Sequence, residues 1–385
     1  MYLDLRNTVL SIIQNELVVQ SQSPPAGDMR IAAFATAMYQ LSESEKFKTA
    51  IERLYIAKPN VYASYVITSL FKATQKQLLV QYPLTYPLEF KTAAVWEHAI
   101  TKIFSDTIHF EEFCLDLENR TVQSNVSERY KAFKLVLMLM KDRLGEMPSV
   151  LDVGCSRNHG LKKLALNLPF QPLEIASPLR IKGSTRIGLE SHLNTLLRQD
   201  FGLSYGIGSD IVPIDMAEQA SWVRNCSFYP GELLNTASVS EYDYLDNNEW
   251  DIVSFQQGDF VGKGLFGDDD YEGVFDAITV SAFMYQLSDA ERKQVRANLR
   301  RYLRPGGIII YQDFAQQGYV NSELDFEENW FSSHYPYRTL IEFEDKGEEL
   351  FEVFRWQNGR CKRVMIGNDF YKVAEAGLSS FTHVR

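Results

Sequence analysis

The chain has 385 residues, 39 Lys and Arg against 50 Asp and Glu, and a formal net charge of −11. So acidic a balance disfavours a tight, sequence-independent grip on nucleic acid, which needs a basic footprint. At 45% hydrophobic and 23% charged the composition is that of a globular protein with ample core, and the length suggests two or three domains.

The first stretch, "MYLDLRNTVLSIIQNELVVQ", has an early acid and no basic run ahead of an apolar core, so no signal peptide is expected. It places Val9, Ile12, Ile13 and Leu17 on one helical face. "QSPPAG" breaks the chain, and Asp28 is a natural N-cap for the helix that follows. Ser42 with Glu45 reads as a capping box for the next. Further helical stretches are expected around 60–80, 88–105 and 127–144. Residues 1–146 therefore read as an all-α N-terminal domain of five or six helices. It could cap a substrate or form a homodimer, and nothing in it names a reaction. No uncharged apolar run reaches about 18 residues, so no membrane span is expected.

After residue 147 the texture alternates. "SVLDVG", "SYGIGSDI", "DIVSFQQGDF", "VFDAITVSAFMYQL" and "GGIIIYQDF" read as five strands. "GLKKLALNL" and "SDAERKQVRANLRRYL" read as helices, the second opening on a Ser288–Glu291 capping box and ending at Pro305-Gly306-Gly307. Such alternation implies an α/β domain over 147–385 with a parallel sheet and right-handed crossovers. Near the end, "ELFEVFRWQNGRCKRVMIG" reads as a hairpin turning on Asn358-Gly359 in a type I′ turn.

In an open α/β sheet, ligands bind where the strands end at the topological switch point. The turn there is "VLDVGCSRNHG", residues 150–160. Gly154 lets a ligand approach the backbone, Ser156 is small, and Asn158 tolerates a positive φ. No G-x-G-x-x-G triplet is present, and Asp152 stands where a pyrophosphate would be repelled. An acid there suits a cationic ligand without phosphate.

On these residues the segment from 147 to about 370 resembles a class I S-adenosylmethionine-dependent methyltransferase, whose Rossmann-like sheet is seven-stranded with an antiparallel C-terminal hairpin. The resemblance implies the cofactor S-adenosyl-L-methionine, with Gly154, Cys155 and Ser156 along its methionine part and Asp152 helping to hold the ammonium. It implies an acid after the second strand for the ribose hydroxyls. Asp210 in "YGIGSDI" is preferred because a well-buried run precedes it, with Glu174 and Glu190 in the long intervening insert as rivals. It implies Asp259 of "QQGDF" at the adenine amino group and Phe260 against the ring. On the acceptor side it points to Tyr285, after the fourth strand, and to His334 in the aromatic segment after the fifth. The run from Asp210 through Pro213, Asp215, Trp222, Pro230 and Glu232 is similar to an uncharacterised bacterial group of methyltransferase-like proteins.

The expectation is thus methyl transfer to a small-molecule acceptor, at an oxygen or nitrogen. A non-catalytic binding module of the same fold and an aminopropyltransferase are the alternatives. No metal is expected, since the histidines lack ligand spacing and "GDDDYE" (Asp268 to Asp270) reads as a solvated loop. His159 reads as a solvent-facing loop residue. Ser156 and Ser281 lack the G-x-S-x-G context of a hydrolase. Cys114, Cys155, Cys226 and Cys361 form no C-x-x-C pair and read as the reduced thiols of a cytoplasmic protein.

Overall fold

The computed structural model describes residues 2–83, 85–176, 186–213, 217–247, 252–266, 271–314 and 336–377. They form two compact units. Among the described residues, one unit holds 2–83, 85–124 and 217–241, and the other holds the rest. The division therefore falls after Ser124, not at 146, and a segment from the middle of the chain joins the helical unit.

Six helices open the first unit: α1 (Tyr2–Gln22), α2 (Met29–Leu41), α3 (Glu45–Ala57), α4 (Ala63–Gln81), α5 (Ala93–Ser105) and α6 (Thr107–Asn119). Asp28 caps α2, its side chain accepting from the Arg30 N–H. The cap of α3 is Ser44, which accepts from the Phe47 N–H; Ser42 instead ends α2. The expected box does not form: the cap lies two residues later, and the residue three on from Ser44 is Phe47, not a glutamate. Phe34, Phe71 and Trp96 meet edge to face at the centre of this core, Phe34 lying 5.1 Å from Phe71 and 5.2 Å from Trp96. The later segment supplies α11 (Ala217–Ser227), which the unit holds by its backbone: Lys72 Nζ and Gln75 Nε2 both donate to the Asn225 carbonyl.

In the second unit α7 (Lys131–Leu139) and α8 (Lys141–Leu144) precede the sheet. Every residue of α7 is buried, and its apolar side chains share a core with strand residues Val150, Ala277 and Ile310. A helix buried on every side fills a core instead of edging one, which is why 125–146 belongs with the sheet. The sheet has ten strands among the described residues, not seven: β1 (Val150–Val153), β2 (Glu174–Ile175), β3 (Gly206–Asp210), β4 (Val253–Asp259), β5 (Gly264–Leu265), β6 (Phe275–Ser281), β7 (Leu303–Phe314), β8 (Tyr337–Phe343), β9 (Leu350–Trp356) and β10 (Arg363–Ile366). Their order is β2-β10-β9-β8-β7-β6-β1-β3-β4-β5. The middle five, β7-β6-β1-β3-β4, are parallel. All seven residues of β6 are buried, as a strand covered on both faces requires.

Helix α9 (His159–Ala165) follows β1, α10 (Arg186–Arg198) lies in the insert, α12 (Thr236–Asn247) leads to β4, and α13 (Asp289–Tyr302) links β6 to β7. The Ser288–Glu291 capping box of α13 is present in full. Pro305-Gly306-Gly307 lies inside β7, beside an irregularity in its pairing with β6, so the helix stops at Tyr302. The β9–β10 hairpin forms, but its loop is Gln357–Lys362 and not the two-residue turn. Asn358 accepts the Arg360 N–H, and the positive φ falls on Cys361 at 50°. No helix among the described residues is long and apolar enough to cross a membrane.

Candidate functional site

Parallel strands on either side of β1 run to different parts of the chain: β3 and β4 on one side, β6 and β7 on the other. The switch point is therefore the crevice at the C-terminal ends of β1 and β6. The turn leaving β1 is wound tightly there. Gly154, Ser156 and Asn158 have φ of 76°, 51° and 64°, so the two non-glycine residues take up the left-handed conformations that glycine would favour. The Gly154 and Cys155 N–H groups donate to the Ser209 carbonyl of β3 at 2.8 and 3.2 Å. The Asn158 side chain donates to the Ser254 carbonyl of β4 at 3.0 Å. Two further glycines make room. A Cβ on Gly208 would come within 2.0 Å of Asn158 Oδ1, and one on Gly160 within 1.9 Å of the Tyr130 ring. Gly160→Ala is expected to cost at least the ~1–3 kcal/mol typical of overpacking, measured as a shift in urea midpoint at unchanged slope.

Asp152 lies inside the protein, with no exposed surface. One carboxylate oxygen accepts the Tyr130 hydroxyl and the other the Thr279 hydroxyl, the latter at 2.7 Å. Burial pushes its pKa up to about 7, against the two hydrogen bonds, and the nearby Asp210 adds to the rise. This carboxylate, expected to help hold an ammonium, is committed to the protein's own hydroxyls. Tyr130 gave no signal in the sequence; only folding brings it across 22 residues to the strand. Cys155 is also buried, which pushes its thiol well above its ordinary pKa and leaves its backbone as the part aligned with the turn.

Asp210 ends β3, beside β1, and is half-buried. Its Oδ2 accepts the Ser156 N–H at 3.0 Å and its Oδ1 the Ile211 N–H at 2.8 Å. Burial raises its pKa while these backbone bonds hold it down. Each carboxylate oxygen still has acceptor capacity. The rival acids are elsewhere. Glu174 sits on β2 at the far edge of the sheet, 3.6 Å from Arg363, and Glu190 accepts the Ile175 N–H at 2.8 Å.

Asp259 ends β4 and closes the turn to β5, its Oδ1 accepting the Val261 and Gly262 N–H groups at 3.0 and 3.1 Å. Phe260, expected against a ligand ring, is instead a core residue. It is buried, meets Tyr302 edge to face at 5.7 Å, and its carbonyl accepts from Asn298. The local sequence could not separate the two roles, since a phenylalanine after an acid suits either.

Across the crevice, β6 ends at Ser281 and turns through Ala282, whose φ is 51°. Phe283 then packs on Gly154, where a Cβ would lie 3.4 Å from its own. Tyr285 is half-buried, its ring edge on Phe314 at 4.6 Å and its N–H donating to Asp313 Oδ2 at 2.9 Å. The fold thus brings Gly154, Asp210 and Tyr285 to one end of the sheet. His334, Asp215 and Asp268 to Asp270 lie outside the described residues. His159 is not a solvent-facing residue. It is fully buried, its Nε2 3.0 Å from Asp246 Oδ1 and its ring 4.4 Å from that of Tyr242. Burial lowers its pKa despite Asp246, and Asp246, also bound by Arg157, sits at about 2. All four cysteines are buried and free of disulfides. Among the described residues, no group of three or more His, Cys, Asp and Glu is placed to hold a metal ion.

Two buried hydroxyls at the crevice, Ser156 Oγ and Ser281 Oγ, have no hydrogen-bond partner.

No family model matches the sequence, and neither does any curated protein. Some solved structures are similar to part of the chain. An S-adenosylmethionine-dependent methyltransferase from Mesorhizobium loti is 12% identical over 48% of this chain and 54% of its own, with a TM-score of 0.23. One from Methanosarcina mazei is 15% identical over 47% and 59%, with a TM-score of 0.25. The cyclase SpnF is 14% identical over 50% and 49%, also at 0.25. The chain spans about half the length of these structures. Likenesses at this level carry no functional weight, and they include two different reactions.

Proposed function

We propose that the sheet-bearing unit binds S-adenosyl-L-methionine at the ends of β1, β3, β4 and β6 and directs its methyl group to a small-molecule acceptor. The observation that carries this is Asp210, an acid at the end of the strand beside β1. It is bonded to the left-handed turn at Ser156 and still open to accept more. A carboxylate so placed can take both hydroxyls of a ribose. A second carboxyl, Asp152, is near enough for Asp210 to add to the rise of its pKa. A cationic ligand is favoured there and a pyrophosphate is not.

S-adenosylmethionine supplies, when bound, a methyl carbon already activated by its sulfonium. The chain's own part is to orient. Asp210 holds the ribose and Asp259 stands at the edge where an adenine amino group would lie. The turn at Gly154 allows close approach, and Tyr285 faces the acceptor. Alignment of reacting groups is worth ~7–11 kcal/mol of barrier, so no further chemical group is required of the protein. A phenol with a pKa near ~10 is a poor base at neutral pH. Tyr285 therefore suits an acceptor that arrives nucleophilic, such as an amine or an ionised oxygen. Isothermal titration with S-adenosylhomocysteine should give saturable binding, and NAD should give none. Binding of NAD with no response to S-adenosylhomocysteine would overturn the assignment.

A further inference from the structure

We propose that Asp313 is the positioning residue of the acceptor side, clasping the loop after β6 so that Tyr285 is held at the crevice. This rests on the placement of the acceptor beside Tyr285 proposed above. Asp313 lies at the C-terminal end of β7 and is 4% exposed. Its Oδ2 accepts the Tyr285 N–H at 2.9 Å and its Oδ1 the Phe314 N–H at 2.8 Å. The first of these donors belongs to the loop.

The loop is fixed at its other end too. The Ala282 N–H donates to the Gln312 carbonyl at 2.8 Å, next to Asp313 in β7. Between the two ties the backbone passes through φ of 51° at Ala282, a conformation that costs an alanine free energy and persists only where surroundings impose it. Phe283, in the same span, rests on Gly154. The side chain of Tyr285 in turn leans on Phe314, the residue after Asp313, and Phe314 on Tyr337 at 4.4 Å.

A buried carboxyl is costly, and an apolar residue would fill the end of a central strand more cheaply. Burial has raised this one to about 7, with the Phe314 and Tyr285 N–H groups and Arg129 opposing. What the acid gives in exchange is loop geometry. Its bonds join one short loop to the strand beside it, at the place where an acceptor would lie.

The test replaces Tyr285 with 3-fluorotyrosine in the full chain and follows its fluorine resonance. The unsubstituted background should give one sharp line that shifts on saturation with S-adenosylhomocysteine. Asp313→Ala should broaden or split that line, and Asp313→Asn, which keeps an acceptor oxygen, should restore a single one. Hydrogen exchange of the 282–287 amides should speed up roughly tenfold in Asp313→Ala, the scale of one lost hydrogen bond, while 306–311 stays protected. If Asp313→Ala does not fold, the same exchange comparison on Asp313→Ser, with Asp313→Asn as the control that keeps the acceptor, decides. An unchanged Tyr285 line and unchanged loop exchange in folded Asp313→Ala or Asp313→Ser would overturn the proposal. So would S-adenosylhomocysteine binding that leaves the line unmoved. Absence of any S-adenosylhomocysteine binding would strike the cofactor assignment instead, and the loop measurements would still judge the clasp.

Discussion

Asp210→Ala is expected to weaken S-adenosylhomocysteine binding by roughly ten- to a hundredfold, the range of hydrogen bonds to a charged group at ~1.5–3 kcal/mol. The carboxylate stands at the end of β3, next to β1, and the Ser156 and Ile211 backbone donors already orient it. Its removal therefore takes away the tie that holds the turn and, on the proposed function, the contacts to the ribose. Asp210→Asn separates these effects. It keeps one oxygen for the Ser156 N–H but cannot accept two hydroxyls with a full charge, so its loss should fall between those of wild type and alanine. Glu174→Ala and Glu190→Ala should leave binding unchanged, because Glu174 is at the far edge of the sheet and Glu190 caps the Ile175 N–H. Calorimetric titrations of the four variants decide the matter. A loss confined to Glu174→Ala or Glu190→Ala would show that the ribose acid is not at β3.

The strands around the site were legible because each is a short apolar run bounded by a glycine or an acid. "SVLDVG", "SYGIGSDI" and "VFDAITV" became β1, β3 and β6. The turn was legible at Asn158, one of the few side chains that accepts φ of 64°, but not at His159, which is buried instead of solvent-facing. What the sequence hid were long-range partnerships. Tyr130 on Asp152, Asp313 on the Tyr285 N–H and Asp246 on His159 each join segments that no local period connects. Strand β2 was hidden for another reason: two residues make no alternation, and Glu174–Ile175 is a strand only because β10 lies alongside. Helix α7 was visible as a helix, but Lys131 and Lys134 gave it a polar look, and only the fold shows that every residue of it is buried in the core of the sheet.

Asp152→Asn is expected to leave the protein at least as stable as wild type at pH 8 and to flatten its dependence of stability on pH. The carboxyl's folded pKa, about 7, lies above its ordinary 3.8. The folded state therefore binds the proton more tightly than the unfolded state. Its contribution is fully present below pH 4 and is lost as pH rises towards 7, at no more than ~1.4 kcal/mol per unit for one proton. Asp313, raised in the same way, adds a second slope of the same sign, while His159 and His192, both lowered by burial, oppose it below their ordinary value. The difference between wild type and Asp152→Asn isolates one group from the rest. Asparagine mimics the protonated acid and can still meet the Tyr130 and Thr279 hydroxyls, each of which donates or accepts. Tyr130→Phe should act in the opposite direction. Without the phenol's bond the ionised form loses support, its pKa climbs further, and stability above pH 7 falls by about the ~1–3 kcal/mol of an unsatisfied buried group. Urea titrations at half-unit steps from pH 4.5 to 8 measure all three proteins. Were Asp152→Asn markedly less stable at pH 8 with the slope intact, the carboxylate would be ionised in the fold, and its charge would have to be balanced by a partner other than the two hydroxyls that enclose it.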